Sequence, residues 1–434
     1  MIEKLLETAK RKADSAEVFV TETSEIAVNF ESGALKSVER KSSYGIGLRI
    51  IRDGRIGFSS STDPDRADDM IENAIACARY GKEVEFEFPG ISEKAEPCRV
   101  NTFDPAIETF SPETAVREGH RTVEMLKELY PKGMTYTEIS STVSNMRIIN
   151  TSGLDISYRD TDFSQHVTSV IVDGDSILWI GDGGHFGTLD MRTEEYVRKV
   201  ADLAVKAETP APKISGSLPV IFTANEMPTL LKSIEMGVDG RRLLKGDSPL
   251  IGKTGETVLG NVTITDNPCI DHAPGSRPFD DEGVSSKTNI LFKNGVFQDF
   301  LFDLDTASKT GHAPTASAHR GMLTIPGIGS SNMIMSGGSS DLDTMISSIN
   351  EGIIVYEVLG GGQSNLLAGD FAVNIMLGFL IKGGEIAGRL PDTMLSGNIY
   401  NAFGNISSMG SEVKPAGTVF TPDVMFSELP ISGR

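Results

Sequence analysis

Cysteine is scarce in this sequence: Cys77, Cys98 and Cys269 are the only three in 434 residues. They are scattered and odd in number, and no Cys-x-x-Cys pair occurs. Neither a disulfide framework nor a thiolate metal site is therefore expected. Long apolar runs are missing too. None reaches the roughly 18 residues that suggest a membrane-spanning helix. The opening Met1-Ile-Glu-Lys-Leu-Leu-Glu is charged and helical in pattern, unlike the basic-then-apolar plan of a signal peptide. The expectation is a cytoplasmic protein with no membrane partner. Clustered positive charge is also lacking. The net charge is −20, and the densest basic stretches are Lys10-Arg11-Lys12 and Arg241-Arg242. A surface that tracks phosphates needs clustered Lys and Arg, so no nucleic-acid partner is expected. The acidic balance speaks to solubility rather than fold. No Gly-x-Ser-x-Gly elbow, P-loop or dinucleotide fingerprint occurs, which removes three common nucleophile and phosphate chemistries.

What is present is a chain long enough for two or three domains at roughly 150 residues each. Residues 1–13 place Ile2, Leu5, Leu6 and Ala9 on one helical face. Short strands follow over residues 16–21, 26–30 and 45–51. Arg52-Asp53-Gly54-Arg55 reads as a tight turn into a return strand. Thr62-Asp63-Pro64 opens a helix, with a cap residue followed by proline. The period of that helix puts Cys77 in the core. Ser111-Pro112-Glu113 opens a second amphipathic helix. Thr209-Pro-Ala-Pro-Lys-Ile-Ser-Gly-Ser217 has a linker's composition. The expected division is 1–210 and 217–434. In the second part, Lys293-Asn294-Gly295 is a hairpin signal. Helices and strands occur in both parts without regular β-α-β alternation. The predicted class is α+β, with largely antiparallel sheets flanked by helices.

One run stands apart. Ile353 to Leu380 joins two strand-like segments through Gly360-Gly361-Gly362-Gln363. Glycines expose backbone N–H and C=O groups with no side chain in the way. Flanking strands with an exposed edge could accept an extended peptide by strand addition. Gly360, Gly361, Gly362 and Gln363 are thus the peptide-cleft candidates. The same glycines are equally consistent with a tight turn in a buried sheet or barrel. His312 and His319, seven apart, and Cys269 form a fallback metal or catalytic set, although Pro314 and small residues favour an ordinary loop. His185, within Gly181-Asp182-Gly183-Gly184-His185, reads as a turn histidine. The carboxylates Asp280-Asp281-Glu282 read as a turn with a solvated face, because neighbours on a strand point to opposite sides.

An ordered set of segments resembles the TldD/PmbA family, also called modulators of DNA gyrase. In the first half these are Gly45-Ile-Gly-Leu-Arg49 and Asp53-Gly-Arg-Ile-Gly57. In the second half they are Asp280-Asp-Glu-Gly283, Ile290–Val296, Ala307–Ala313, Ser331-Asn-Met-Ile-Met335, Gly360–Gln363 and Gly397-Asn398. The resemblance implies a PmbA/TldD-like fold and one of two branches. TldD-like chains resemble zinc peptidases, with an HExxxH motif and a distant cysteine as ligands. PmbA-like chains, also called TldE, lack the motif and pair with TldD. The best register places Lys232-Ser-Ile-Glu-Met-Gly237 at HExxxH. No histidine occurs anywhere from Phe186 to Asp271, so no shift restores it. The ligand cysteine's place falls near Ala416, and no cysteine follows Cys269. The resemblance therefore implies the PmbA/TldE branch, with no catalytic residue and no cofactor in this chain. Zinc is then expected only in a TldD-like partner. The implied role is a subunit of a TldD/TldE-type metalloprotease acting on unstructured peptides. The alternative is a homodimeric protein that binds peptides or a partner without proteolysis.

Overall fold

The computed structural model describes residues 2–90, 98–174, 176–360 and 364–433. The first half is built on one antiparallel sheet of six strands: β1 (Ser15–Glu31), β2 (Ala34–Arg52), β3 (Arg55–Ser61), β4 (Met134–Asn150), β5 (Asp155–Asp173) and β6 (Ser176–Phe186). Their order is β3-β2-β1-β4-β5-β6, which leaves β3 and β6 at the edges. The Asp53-Gly54 turn joins β2 to β3, with both residues at positive φ, as a two-residue hairpin turn requires. Several strands are far longer than the apolar runs suggest. The first eleven residues of β2, up to Tyr44, include no buried residue. Their pairing with β1 nevertheless runs through this polar stretch to Ala34, with one register shift between Asn29 and Phe30.

One sheet face carries the helices. Leu5, Ala9, Met70, Ile71 and Ala74 pack on Val18, Val20, Ile46 and Leu48. Asp63 caps the short turn Pro64–Arg66 that leads into the helix Ala67–Ala78. Cys77 is exposed on that helix, not buried as its periodicity suggested. The apolar stripe of Met70, Ile71, Ala74, Ile75 and Ala78 is complete without it. Further along the sheet, Thr193–Ala207 covers Val167, Leu178 and Ile180. On the other face, Phe19, Ile148 and Leu154 meet Phe279. This explains why Ala16 to Thr21 are buried on both sides whereas later β1 residues alternate.

The second half is also α+β. Strand β7 (Ser215–Phe222) pairs in parallel with Glu351–Gly360 and antiparallel with Val424–Gly433. Glu351–Gly360 pairs with Asp370–Lys382, which pairs with Thr393–Asn398, which returns to Val424–Gly433. The five strands thus close on themselves, which removes most free edges. The helix Met227–Gly237 packs Leu230, Leu231 and Ile234 into the same core as Val220, Phe222 and Val373. A second sheet of six short strands includes the Asn294-Gly295 hairpin.

Candidate functional site

The glycine run ends the strand Glu351–Gly360. Gly360 has φ +103°, in the range that favours glycine. Gly361, Gly362 and Gln363 lie outside the described residues. The strand is hydrogen-bonded on both sides only over Ile353–Val355. Beyond Val355 one side has no strand partner among the described residues, and a bulge falls at Val355–Val358. There the Val358 N–H donates to Glu226 Oε2 at 3.1 Å. Leu359 is 62% exposed at the rim. On the return side, Asn365 caps the turn Leu366–Ala368. The Asn398 amide donates to Ala368 O and to Asp370 Oδ1, both at 2.9 Å, which fixes the base of the loop.

This rim stands at the start of the helix Met227–Gly237. Burial pushes the Glu226 carboxyl up to about 8, helped by the nearby Glu357 charge and opposed by the Val358 N–H. Burial also pushes Glu357 up to about 7. Burial therefore disfavours the charged form of both carboxyls, most strongly at Glu226.

Farther along the helix lie the positions that the resemblance aligns with HExxxH. Lys232 is exposed and pairs with Glu235 at 2.5 Å. Glu235 also accepts from Ser330 Oγ at 3.2 Å. Ser233 is buried, and a side chain at Gly237 would meet the Tyr400 hydroxyl at 2.5 Å. A lysine, a serine and a glycine at the three motif positions offer no zinc ligand. Among the described residues, no three His, Cys, Asp or Glu side chains converge on one point anywhere.

The fallback residues do not converge either. His312 stacks on Phe302 at 4.5 Å. His319 Nε2 accepts from the Arg277 guanidinium at 2.7 Å, and burial with the Arg277 charge drives its imidazole down to about 3. Cys269 is joined to Cys98 in a disulfide, contrary to the expectation of none; the sequence separation of 171 hid the pairing.

The carboxylates Asp280, Asp281 and Glu282 are buried, not solvated. Asp280 accepts from the backbone N–H groups of Glu282, Val284 and Ala318. Glu282 accepts from Arg49 at 2.6 Å and from the Leu304 N–H at 2.8 Å. Arg49 grips both Glu17 oxygens, at 3.0 and 2.9 Å, and Arg320 reaches Glu17 at 2.7 Å. This network joins the first sheet to the second half of the chain and gives Arg49 of the Gly45–Arg49 motif its role. Pattern reading missed it because its members are up to 303 residues apart.

Three family models match in order. The PmbA/TldA metallopeptidase domain 1 covers residues 16–78, the central domain 107–208, and the C-terminal domain 215–433. The chain belongs to the PmbA/TldD metallopeptidase family. Metalloprotease PmbA of Escherichia coli O157:H7 is 26% identical over 448 residues, covering 99% of this chain and 94% of that one. A metalloprotease TldD homolog of Haemophilus influenzae is 28% identical over 243 residues, covering 54% and 50%. The crystal structure of TldE from Thermococcus kodakarensis superposes with a TM-score of 0.88 at 25% identity, covering 99% of each chain. Within the family, the chain is PmbA/TldE-like.

Proposed function

We propose that this chain is the non-zinc subunit of a TldD/TldE-type metalloprotease acting on unstructured peptides. In this reading it has no catalytic residue of its own, holds no catalytic zinc, and pairs with a TldD-like chain that does. The supporting observation is the helix Met227–Gly237, where Lys232, Ser233 and Gly237 stand at the family's motif positions and Lys232 pairs with Glu235. The glycine rim at Gly360 and the exposed Leu359 support a place for peptide backbone beside that helix. We take 1–210 and 217–434 as the two units of the chain.

A stand-alone homodimer that binds peptides is the competing reading. Affinity purification of the tagged chain from its native host, with mass identification of partners, separates them. The proposal expects an HExxxH-bearing chain in near-equal amount. Recovery of a homodimer with no such chain overturns it.

A further inference from the structure

Strands β5 and β6 hold a histidine pair that no zinc motif accounts for. His166 on β5 and His185 on β6 are diagonal neighbours, because His166 pairs with Gly183 and Ser164 with His185. Diagonal positions lie within reach of long side chains on one face. The two Nε2 atoms approach to 3.4 Å. That is longer than the usual hydrogen-bond range of about 2.7–3.2 Å. A tetrahedral ion with metal–nitrogen bonds of about 2.0–2.1 Å holds two ligand nitrogens about 3.3–3.4 Å apart. Among the described residues, neither Nε2 has another hydrogen-bond partner.

The surroundings agree. Asp162 Oδ1 stands 3.5 Å behind His185 Nδ1, the side from which carboxylates orient metal-bound imidazoles. Glycine at 183 makes the geometry possible, since a Cβ there would lie 2.3 Å from His166 Nδ1. Exposed Glu138 is directly across the ladder from His166. Among the described residues, no third ligand is in place as the side chains stand. Rotation of Glu138 would complete a set of two imidazoles and one carboxylate, a known zinc ligand combination.

We propose that His166 and His185 form an exchangeable binding site for a divalent transition-metal ion such as Zn²⁺ or Co²⁺, with Asp162 orienting His185 and Glu138 closing on the ion. Water would fill the remaining position, which leaves the site open. The site is remote in sequence from positions 232–237 and does not depend on the reading of that helix. An open site of this kind empties into a chelator and refills from solution.

The test uses the full chain, stripped with EDTA and desalted. It is titrated with ZnCl₂ by calorimetry and with CoCl₂ by visible absorption. The expected result is about one saturable equivalent per chain, with cobalt bands typical of low coordination number. His166→Ala and His185→Ala should abolish it. Asp162→Asn should weaken it by at least about tenfold. His312→Ala should leave it unchanged. Absence of binding, or binding that survives both His166→Ala and His185→Ala, overturns the proposal and leaves a mere imidazole contact. Circular dichroism checks folding; if His166→Ala misfolds, His185→Ala on the exposed edge strand decides alone.

Discussion

Replacing Arg49 by glutamine tests the buried ion network directly. Arg49 makes three charge-assisted hydrogen bonds, two to Glu17 and one to Glu282. All three side chains are within 4% of complete burial. Glu17 would keep Arg320 as a partner. Glu282 would keep only the Leu304 N–H and would become a buried carboxylate with no cation. Breaking a buried pair on one side costs about 3–5 kcal/mol, mostly because the remaining charge is stranded. At about 2 °C per kcal/mol for a large cooperative unit, the melting temperature should fall by about 6–10 °C. Differential scanning calorimetry at pH 7 measures this. Arg49→Lys keeps the charge but loses the two-pronged grip on Glu17, so it should fall between. A melting temperature for Arg49→Gln within about 1 °C of wild type would refute the reasoning, since only well-solvated pairs contribute so little.

Other outcomes follow from single residues. Glu226 has a folded-state value of about 8 against an ordinary 4.5 because of burial. Its neutral form is favoured by the fold, so this contribution is complete below about pH 4.5 and is lost as the pH rises through about 8. Glu226→Gln should therefore raise the melting temperature relative to wild type above pH 8 but not at pH 4; parallel curves would contradict the burial argument. Gly183→Ala should destabilise by about 1–3 kcal/mol in a thermal melt, because its Cβ meets His166 and the Gln165 carbonyl. Cys269→Ser removes a cross-link spanning 171 residues, with an entropic ceiling of about 5 kcal/mol; an unchanged melting temperature under non-reducing conditions would show that the bond is not formed in solution.

Local signals in the sequence were legible where the physics is local. The turns at Asp53-Gly54 and Asn294-Gly295 need positive φ, and only a few residue types supply it cheaply. Ser111 caps its helix through its own hydroxyl, as Ser-Pro-Glu suggested. The α+β class followed from the mixture of periods. Longer-range features were not legible. The carboxylates at 280–282 look solvated until Arg49 arrives from 233 residues away. The segment Gly181 to His185 looks like a turn, yet it is part of β6. Its glycines make room for side chains from neighbouring elements: His166 over Gly183, and Tyr196 over Gly184. The closed ring of strands behind Gly360 depends on a parallel pairing with β7 that no local pattern announces.

The proposed role of this chain is to shape a peptide site without cutting. It is tested most directly by assaying a fluorogenic unstructured peptide with the chelator-stripped chain alone and after mixing with a zinc-loaded TldD-like chain. The account predicts no cleavage by the chain alone and chelator-sensitive cleavage by the mixture, above that of the partner by itself. Chelator-sensitive cleavage by the isolated chain after zinc is restored would contradict it.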